Sequence, residues 1–279
     1  MHTLLLQSSF PLLLITSFLS INVELSLSQD DQYYANCSEA INCGGIGGIS
    51  YPFWGVNRAD YCGLPGFEVK CVDNAPMINM SNIKYRILKT DSSSSSVTVA
   101  RQDYWETICP QTYVSTSINF SLFNYTSGLT NLTFYYGCNI SIKTAIPGVS
   151  SLSQACNGDI NVSYVTRSPQ VDPVTINQIC ASVVIVPVLT TAAQALEANR
   201  TTIKEVLDGG FELGLQIDNV QCNSCENSGG KCGLNTTTGG FSCFCLDQAY
   251  ASVCKATAPG AQGMSAPCHS LINYRLGRC

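Results

Sequence analysis

Histidine is almost missing from this chain of 279 residues: His2 and His269 stand near the termini, and nothing between them is histidine. That excludes Ser-His-Asp, Cys-His and His-ligated metal chemistry from the body of the protein. Charge is scarce as well. Lys, Arg, Asp and Glu make up 12% of the residues and the net charge is -5, which argues against nucleic acid as a partner. Past the leader, no apolar run is long enough to cross a bilayer. The most apolar one, Val183–Leu189, is short and contains Pro187, and reads as a buried or edge strand.

Cysteine, by contrast, is abundant. There are 16, and 14 of them fall between Cys37 and Cys254: Cys37, Cys43, Cys62, Cys71, Cys109, Cys138, Cys156, Cys180, Cys222, Cys225, Cys232, Cys243, Cys245 and Cys254. An even number suits complete pairing, and disulfides persist only in oxidising compartments, so a secreted protein is expected. Paired thiols are not nucleophiles, and the zinc reading of Cys222-x2-Cys225 is poor for the same reason. The N-terminus agrees: Leu4–Leu6 and Pro11–Leu19 form an apolar core and Ser26-Leu27-Ser28 a cleavage site, so residues 1–28 read as a signal peptide. A membrane anchor is the poorer reading, because the apolar core is short and interrupted by Pro11. Nine glycosylation sequons begin at Asn36, Asn79, Asn119, Asn124, Asn131, Asn139, Asn161, Asn199 and Asn235.

The pattern predicts a mainly β, disulfide-rich, two-domain secreted glycoprotein: residues 29–110, residues 111–254, and an irregular tail, 255–279. Residues 29–36 read as a polar leading segment. Strands are expected at Asn82–Leu88 and Val97–Ala100, joined by the turn Ser92–Ser96, then at Asn119–Phe123, Leu132–Tyr136 and Val162–Val165. One helical region is expected near 190–208, divided in two if Asn199-Arg200-Thr201 breaks it, and stopped by Gly209-Gly210. Between Cys37 and Cys71 four cysteines sit among Gly, Pro and aromatic residues. Tyr51, Phe53 and Trp54 could stack on a ligand, though core packing is the better reading.

No catalysis is expected. A glycosidase needs only two carboxylates, and Asp60, Glu68, Asp73, Asp103 and Glu106 are available, but nothing in the sequence pairs them. Cations for an anionic ligand are Arg58, Lys70, Lys84, Arg86, Lys89 and Arg101. Lys84, Arg86 and Lys89 are the tightest cluster, and Lys84 and Arg86 should share one strand face. Such a run is as often a solvated strand face.

Two blocks resemble one family. Cys43-Gly44, Tyr51-Pro52-Phe53, Cys62-Gly63-x-Pro65-x-Phe67-x-Val69-x-Cys71 is similar to the galacturonan-binding domain of plant wall-associated receptor kinases. Phe134-Tyr135-Tyr136-Gly137-Cys138, Gly210-Phe211-Glu212-Leu213 and the segment Cys222–Cys254 resemble its companion C-terminal domain, nearest in type to the leaf-rust-resistance-locus receptor-like kinases. Leu215 departs from this pattern, standing where tryptophan is expected. The resemblance implies an extracellular sensor of pectin, anchored in the plasma membrane in family members and facing the cell wall. It places 29–110 as the galacturonan-binding unit and 111–254 as the C-terminal unit. The last six cysteines have an EGF-like spacing, and that likeness implies the pairs 222–232, 225–243 and 245–254. Full-length members are serine/threonine kinases, yet no Gly-rich loop and no His-Arg-Asp loop occurs here. The chain therefore reads as an ectodomain alone, in truncated, spliced or secreted form. The implied partner is pectic polysaccharide, held by the basic residues above with no cofactor beyond a bridging Ca²⁺. Acidic residues outnumber basic ones between Gln29 and Pro110, so the site must be a local patch or calcium-assisted. The alternative is a secreted protein-interaction module or decoy in defence signalling, with a receptor or pathogen protein as partner.

Overall fold

The computed structural model describes residues 28–139, 142–152, 155–168 and 172–255. The expected signal peptide, except Ser28, and the tail after Lys255 lie outside the described residues. Helix α1 (Ser28–Ser38) occupies the segment expected to be merely polar, and leads into a short hairpin, β1 (Ile41–Cys43) and β2 (Ile46–Ile49). Four antiparallel strands follow: β3 (Val69–Val72), β4 (Ala75–Met80), β5 (Ile83–Asp91) and β6 (Ser96–Arg101). Ser81 and Asn82 close the β4–β5 hairpin, both at positive φ, the turn whose twist matches that of the flanking strands. The serine run closes β5–β6, with the Asp91 carboxylate accepting the Ser93 and Ser94 N–H groups at 3.0 and 3.3 Å.

Next come β7 (Phe123–Tyr125), β8 (Leu129–Tyr136), α2 (Ile142–Ala145), β9 (Ser150–Ser151), β10 (Val162–Val165), α3 (Pro173–Ile179) and β11 (Ser182–Leu189). Asn119–Phe123 was expected to be a strand and is mostly turn. The Asn119 carbonyl accepts the Leu122 and Phe123 N–H groups and its side chain accepts that of Ser121, so local bonding wins over the ladder. The helical region is two helices, α4 (Thr190–Glu197) and α5 (Ile203–Asp208), with Asn199 at positive φ between them. Strand β12 (Phe211–Leu215), α6 (Asn219–Asn227), β13 (Lys231–Leu234), β14 (Phe241–Phe244) and β15 (Ala249–Tyr250) complete the described chain.

The larger sheet has the order β3-β4-β5-β6-β12-β7. Its last two strands come from beyond Pro110, so the sheet begun before that residue is finished by the chain after it. Gly210 makes the return: its φ is +65°, and a Cβ there would drive into the Val99 carbonyl. One face of this sheet is apolar: Val69, Ile78, Tyr85, Ile87, Val97, Val99, Phe211 and Leu213 pack under Ile41, Ile49, Phe53 and Phe67. The second sheet, β11-β8-β10-β9, is covered on both sides. Phe134 and Tyr136 face Leu196, Val206 and Leu207, while Tyr135 faces Ile142 and Ile176. That explains the unbroken run Phe134–Tyr136: a central strand buried on both faces has no polar alternation. Val183–Leu189 is an edge strand here, where a sheet tolerates Pro187.

Thr202 caps α5 in a capping box. Its side chain accepts the Glu205 N–H at 3.3 Å, and the Glu205 carboxylate accepts the Thr202 N–H at 2.9 Å. Thr202→Ala should lower stability by about 1 kcal/mol in thermal or denaturant unfolding.

Among the described residues, seven disulfides staple the fold: 37–62, 43–71, 109–156, 138–180, 222–232, 225–243 and 245–254. In the last knot Cys222 and Cys225 lie three apart on α6, both buried, so they point together into the knot and bond to β13 and β14 rather than to each other. This knot packs against the first one. Tyr33 stacks on Phe244 at 5.2 Å, Tyr61 meets the same ring edge-on, and Tyr51 meets Phe241. A Cβ on Gly233 would strike the Tyr61 carbonyl and the Phe244 ring, so this contact requires glycine.

Candidate functional site

The face of the larger sheet turned away from its core carries the cations. Lys84 pairs across the ladder with Asn79, and Arg86 with Met77, which in turn pairs with Lys70. Two open grooves meet on this face. The larger, about 660 Å³, is lined by Lys84, the ion pair Arg101–Asp103, Gln102, Asn82, Thr107, Gln111 and Thr112 among others. The smaller, about 490 Å³, is lined by Glu68, Lys70, Asp73, Met77, Asn79, Lys84 and Gln102. Lys84 and Gln102 belong to both.

Arg86 is held flat. Its guanidinium carbon lies 4.2 Å from the centre of the Trp105 ring, and its Nε donates to Gln102 Oε1 at 3.3 Å. A guanidinium stacked this way keeps its in-plane edge for a carboxylate, which it can bind in bidentate fashion. Lys84 stands two residues away, ~7 Å along the strand, as an exposed point charge. The larger groove thus combines the free cation Lys84, the neutralised pair Arg101–Asp103, and amides and hydroxyls, groups suited to an acidic carbohydrate.

The other expected cations are less available. Arg58 is 5% exposed, so it is unavailable to a ligand. Its guanidinium donates to four carbonyl oxygens: Cys37 (2.7 Å), Glu39 (2.7 Å), Cys62 (3.0 Å) and Phe53 (3.2 Å). Burial pushes its pKa down to about 10, with Glu226 pulling the other way, so it stays charged near neutrality. Arg101 is also internal. Period two places it with Val97 and Val99, opposite Tyr85, and it is buried, although it borders the larger groove together with Lys84. It pairs with Asp103 at 2.6 Å and donates to the Val114 carbonyl at 2.7 Å. Burial works against its charge, but Asp103 outweighs that and the pKa is raised.

Lys89 presents the opposite case. Simple alternation would turn it away from Lys84, but the register shifts between Ile87 and Lys89, which brings Lys89 opposite Thr98. It returns to the cationic face, ~16 Å from Lys84 and outside both grooves. Its ion pair with Asp91, at 4.0 Å, is exposed and worth little. Lys70 is similarly paired with Glu68 at 3.5 Å.

Sequence reasoning missed Trp105 and Gln102. The one available signal was their position just after β6, at the end of the strand that pairs with Tyr85–Arg86. Of the three aromatics near Pro52, Phe53 is buried in the core, and the Trp54 indole donates to the Leu64 carbonyl at 2.8 Å. Burial, with a smaller contribution from Asp218, raises the pKa of Tyr51 to about 12. These residues are scaffold. Among the described residues, groups of three potential metal ligands consist of cysteines 222, 232, 243, 245 and 254 with Glu226, and those sulfurs are bonded in disulfides.

Comparison with known proteins finds two family models. Residues 37–101 match the family model for the wall-associated receptor kinase galacturonan-binding domain, and residues 151–248 match that for the wall-associated receptor kinase C-terminal domain. The chain thus carries both ectodomain units of the wall-associated and leaf-rust-locus class of receptor-like kinases. Among its relatives in Arabidopsis thaliana are leaf rust 10 disease-resistance locus receptor-like protein kinase-like 2.8, 32% identical over 78% of this chain, and the 2.5 form, 31% identical over 80%. The chain spans 25% and 35% of their respective lengths. No solved structure matches it. No helix among the described residues is long and apolar enough to cross a membrane.

Proposed function

We propose that this chain is a pectin-binding ectodomain module, and that it holds de-esterified galacturonan on the open face of the larger sheet. The observation that carries the reading is the alignment of Lys84 and the Trp105-backed Arg86 beside a groove of amides and hydroxyls; both cations lie within residues 37–101, which match the galacturonan-binding model, while Trp105, Gln102, Gln111 and Thr112 follow directly after it. Each uronate offers one carboxylate to these cations and hydroxyls to Gln102, Gln111 and Thr112. Calcium is not needed to attach the ligand to the protein; where present it bridges polysaccharide chains. The seven disulfides suit an oxidising, extracellular location, with the cell wall as the place where such a ligand is met. Signalling by an attached kinase belongs to the full-length relatives and is the class of output this module would serve.

Calorimetry with oligogalacturonides, alongside the same oligomers methyl-esterified, tests this. The acid form should bind and weaken as salt rises, since exposed charges are screened over about 8–10 Å at 0.1–0.15 M. The ester should not bind. Equal binding of acid and ester forms would remove the charge recognition on which the reading rests. Lys89→Ala should leave affinity within about twofold, because Lys89 lies ~16 Å along the strand from Lys84 and exposed charges that far apart are screened.

A further inference from the structure

Nine sequons differ sharply in whether their amide nitrogen is free. Asn36 Nδ2 donates to the Tyr61 hydroxyl at 2.6 Å, Asn131 Nδ2 to Ser168 Oγ at 2.9 Å, and Asn161 Nδ2 to the Cys138 carbonyl at 2.8 Å. Asn79 is different: it is exposed, its side chain makes no hydrogen bond among the described residues, and it lines the smaller groove. Its cross-strand partner is Lys84, the residue shared by both grooves. Directly opposite residues on a sheet have Cβ atoms only about 4.5–5.5 Å apart. The hydroxyl residue of this sequon, Ser81, sits in the tight hairpin turn, at φ 50°, so Asn79 stands exposed near the end of β4, two residues before the loop tip.

We propose that an N-linked glycan on Asn79 gates the cationic face. The reaction joins Asn79 Nδ2 to the reducing-end sugar carbon of a lipid-pyrophosphate-linked oligosaccharide. The lipid pyrophosphate leaves with the electron pair of the broken C–O bond, and the amide gives up one proton. The attached sugar then fills the smaller groove and stands over Lys84. The glycosylated protein has a closed face and the unmodified protein an open one, so occupancy of one sequon sets affinity for an anionic polysaccharide. This inference rests on the proposed pectin reading for its ligand but not for its geometry.

The test uses the full chain from a glycosylating secretory host, with Asn79 occupancy measured by glycopeptide mass spectrometry. Wild type is compared with Asn79→Gln, with Ser81→Gly, which suits the positive φ, and with enzymatically deglycosylated wild type. An amine-reactive biotin ester reads the exposure of Lys84, with exposed Lys143 as internal reference. Lys84 labelling should rise several-fold on glycan removal while Lys143 stays constant, and oligogalacturonide affinity should rise about tenfold, or 1.4 kcal/mol. An unoccupied Asn79, or unchanged Lys84 labelling, overturns the proposal. Increased Lys84 labelling with no oligogalacturonide binding in any form supports the glycan gate and sinks the pectin reading instead.

Discussion

Arg58→Ala should destabilise the disulfide-intact protein by about 3–5 kcal/mol, the combined cost of several buried carbonyls losing one donor, reduced by entering water. Four carbonyl oxygens, those of Cys37, Glu39, Phe53 and Cys62, depend on this one guanidinium. Each carbonyl left unpaired costs about 1–3 kcal/mol, reduced wherever water can enter. Cys37 and Cys62 are themselves bonded, so the guanidinium fixes the loop that their disulfide closes. That loop carries Tyr61, which packs against Phe244 of the C-terminal knot. The loss should therefore appear as a lower unfolding midpoint together with exposure of Tyr33, Tyr61 and Tyr51 to solvent. Arg58→Lys should recover little, since one ammonium cannot span four carbonyls in the plane that the guanidinium fork serves. A variant with wild-type stability would show that the knot does not rely on Arg58.

Removing both cations from the open face should have the largest effect on binding. Lys84→Ala with Arg86→Ala is expected to weaken oligogalacturonide binding by about a hundredfold. Charge-assisted hydrogen bonds contribute about 1.5–3 kcal/mol each, and each 1.4 kcal/mol is a factor of ten. Trp105→Ala should do part of the same damage without removing any charge, because Arg86 loses the ring that holds it flat. Neither change should alter stability much, since Lys84 is exposed and Arg86 and Trp105 are only partly covered. A loss of binding that tracks a loss of folding would instead mark these residues as structural.

The cationic strand was legible because strands alternate: Lys84 and Arg86 had to share a face once Asn82–Leu88 was a strand. The same rule also sends Arg101 to the core, opposite Tyr85, but that requires the β5–β6 register, which the sequence does not print. Lys89 needed one more piece, the register shift after Ile87. Arg58 was invisible as a structural residue because its partners are backbone carbonyls drawn from Cys37 to Cys62, and carbonyls leave no trace in sequence. The fold shows the same limits. Short-range signals, such as the serine turn and the Asn199 break between α4 and α5, could be read directly. The entry of β7 and β12 into the first sheet, across the boundary expected near residue 110, is a long-range pairing with no local signature. The pairing of the final six cysteines could be matched to the EGF-like spacing, whereas the packing of that knot against Tyr33 and Tyr61 could not.

The most direct measurement of the central claim is a hydrogen-exchange footprint taken with and without oligogalacturonide. Binding on the open face should protect amides in 77–86 and 102–112 and leave the groove around Ser115, Tyr125 and Ile185 unchanged, since no Lys or Arg lines it. Protection confined to that second groove, or to the cysteine knots, would contradict the account.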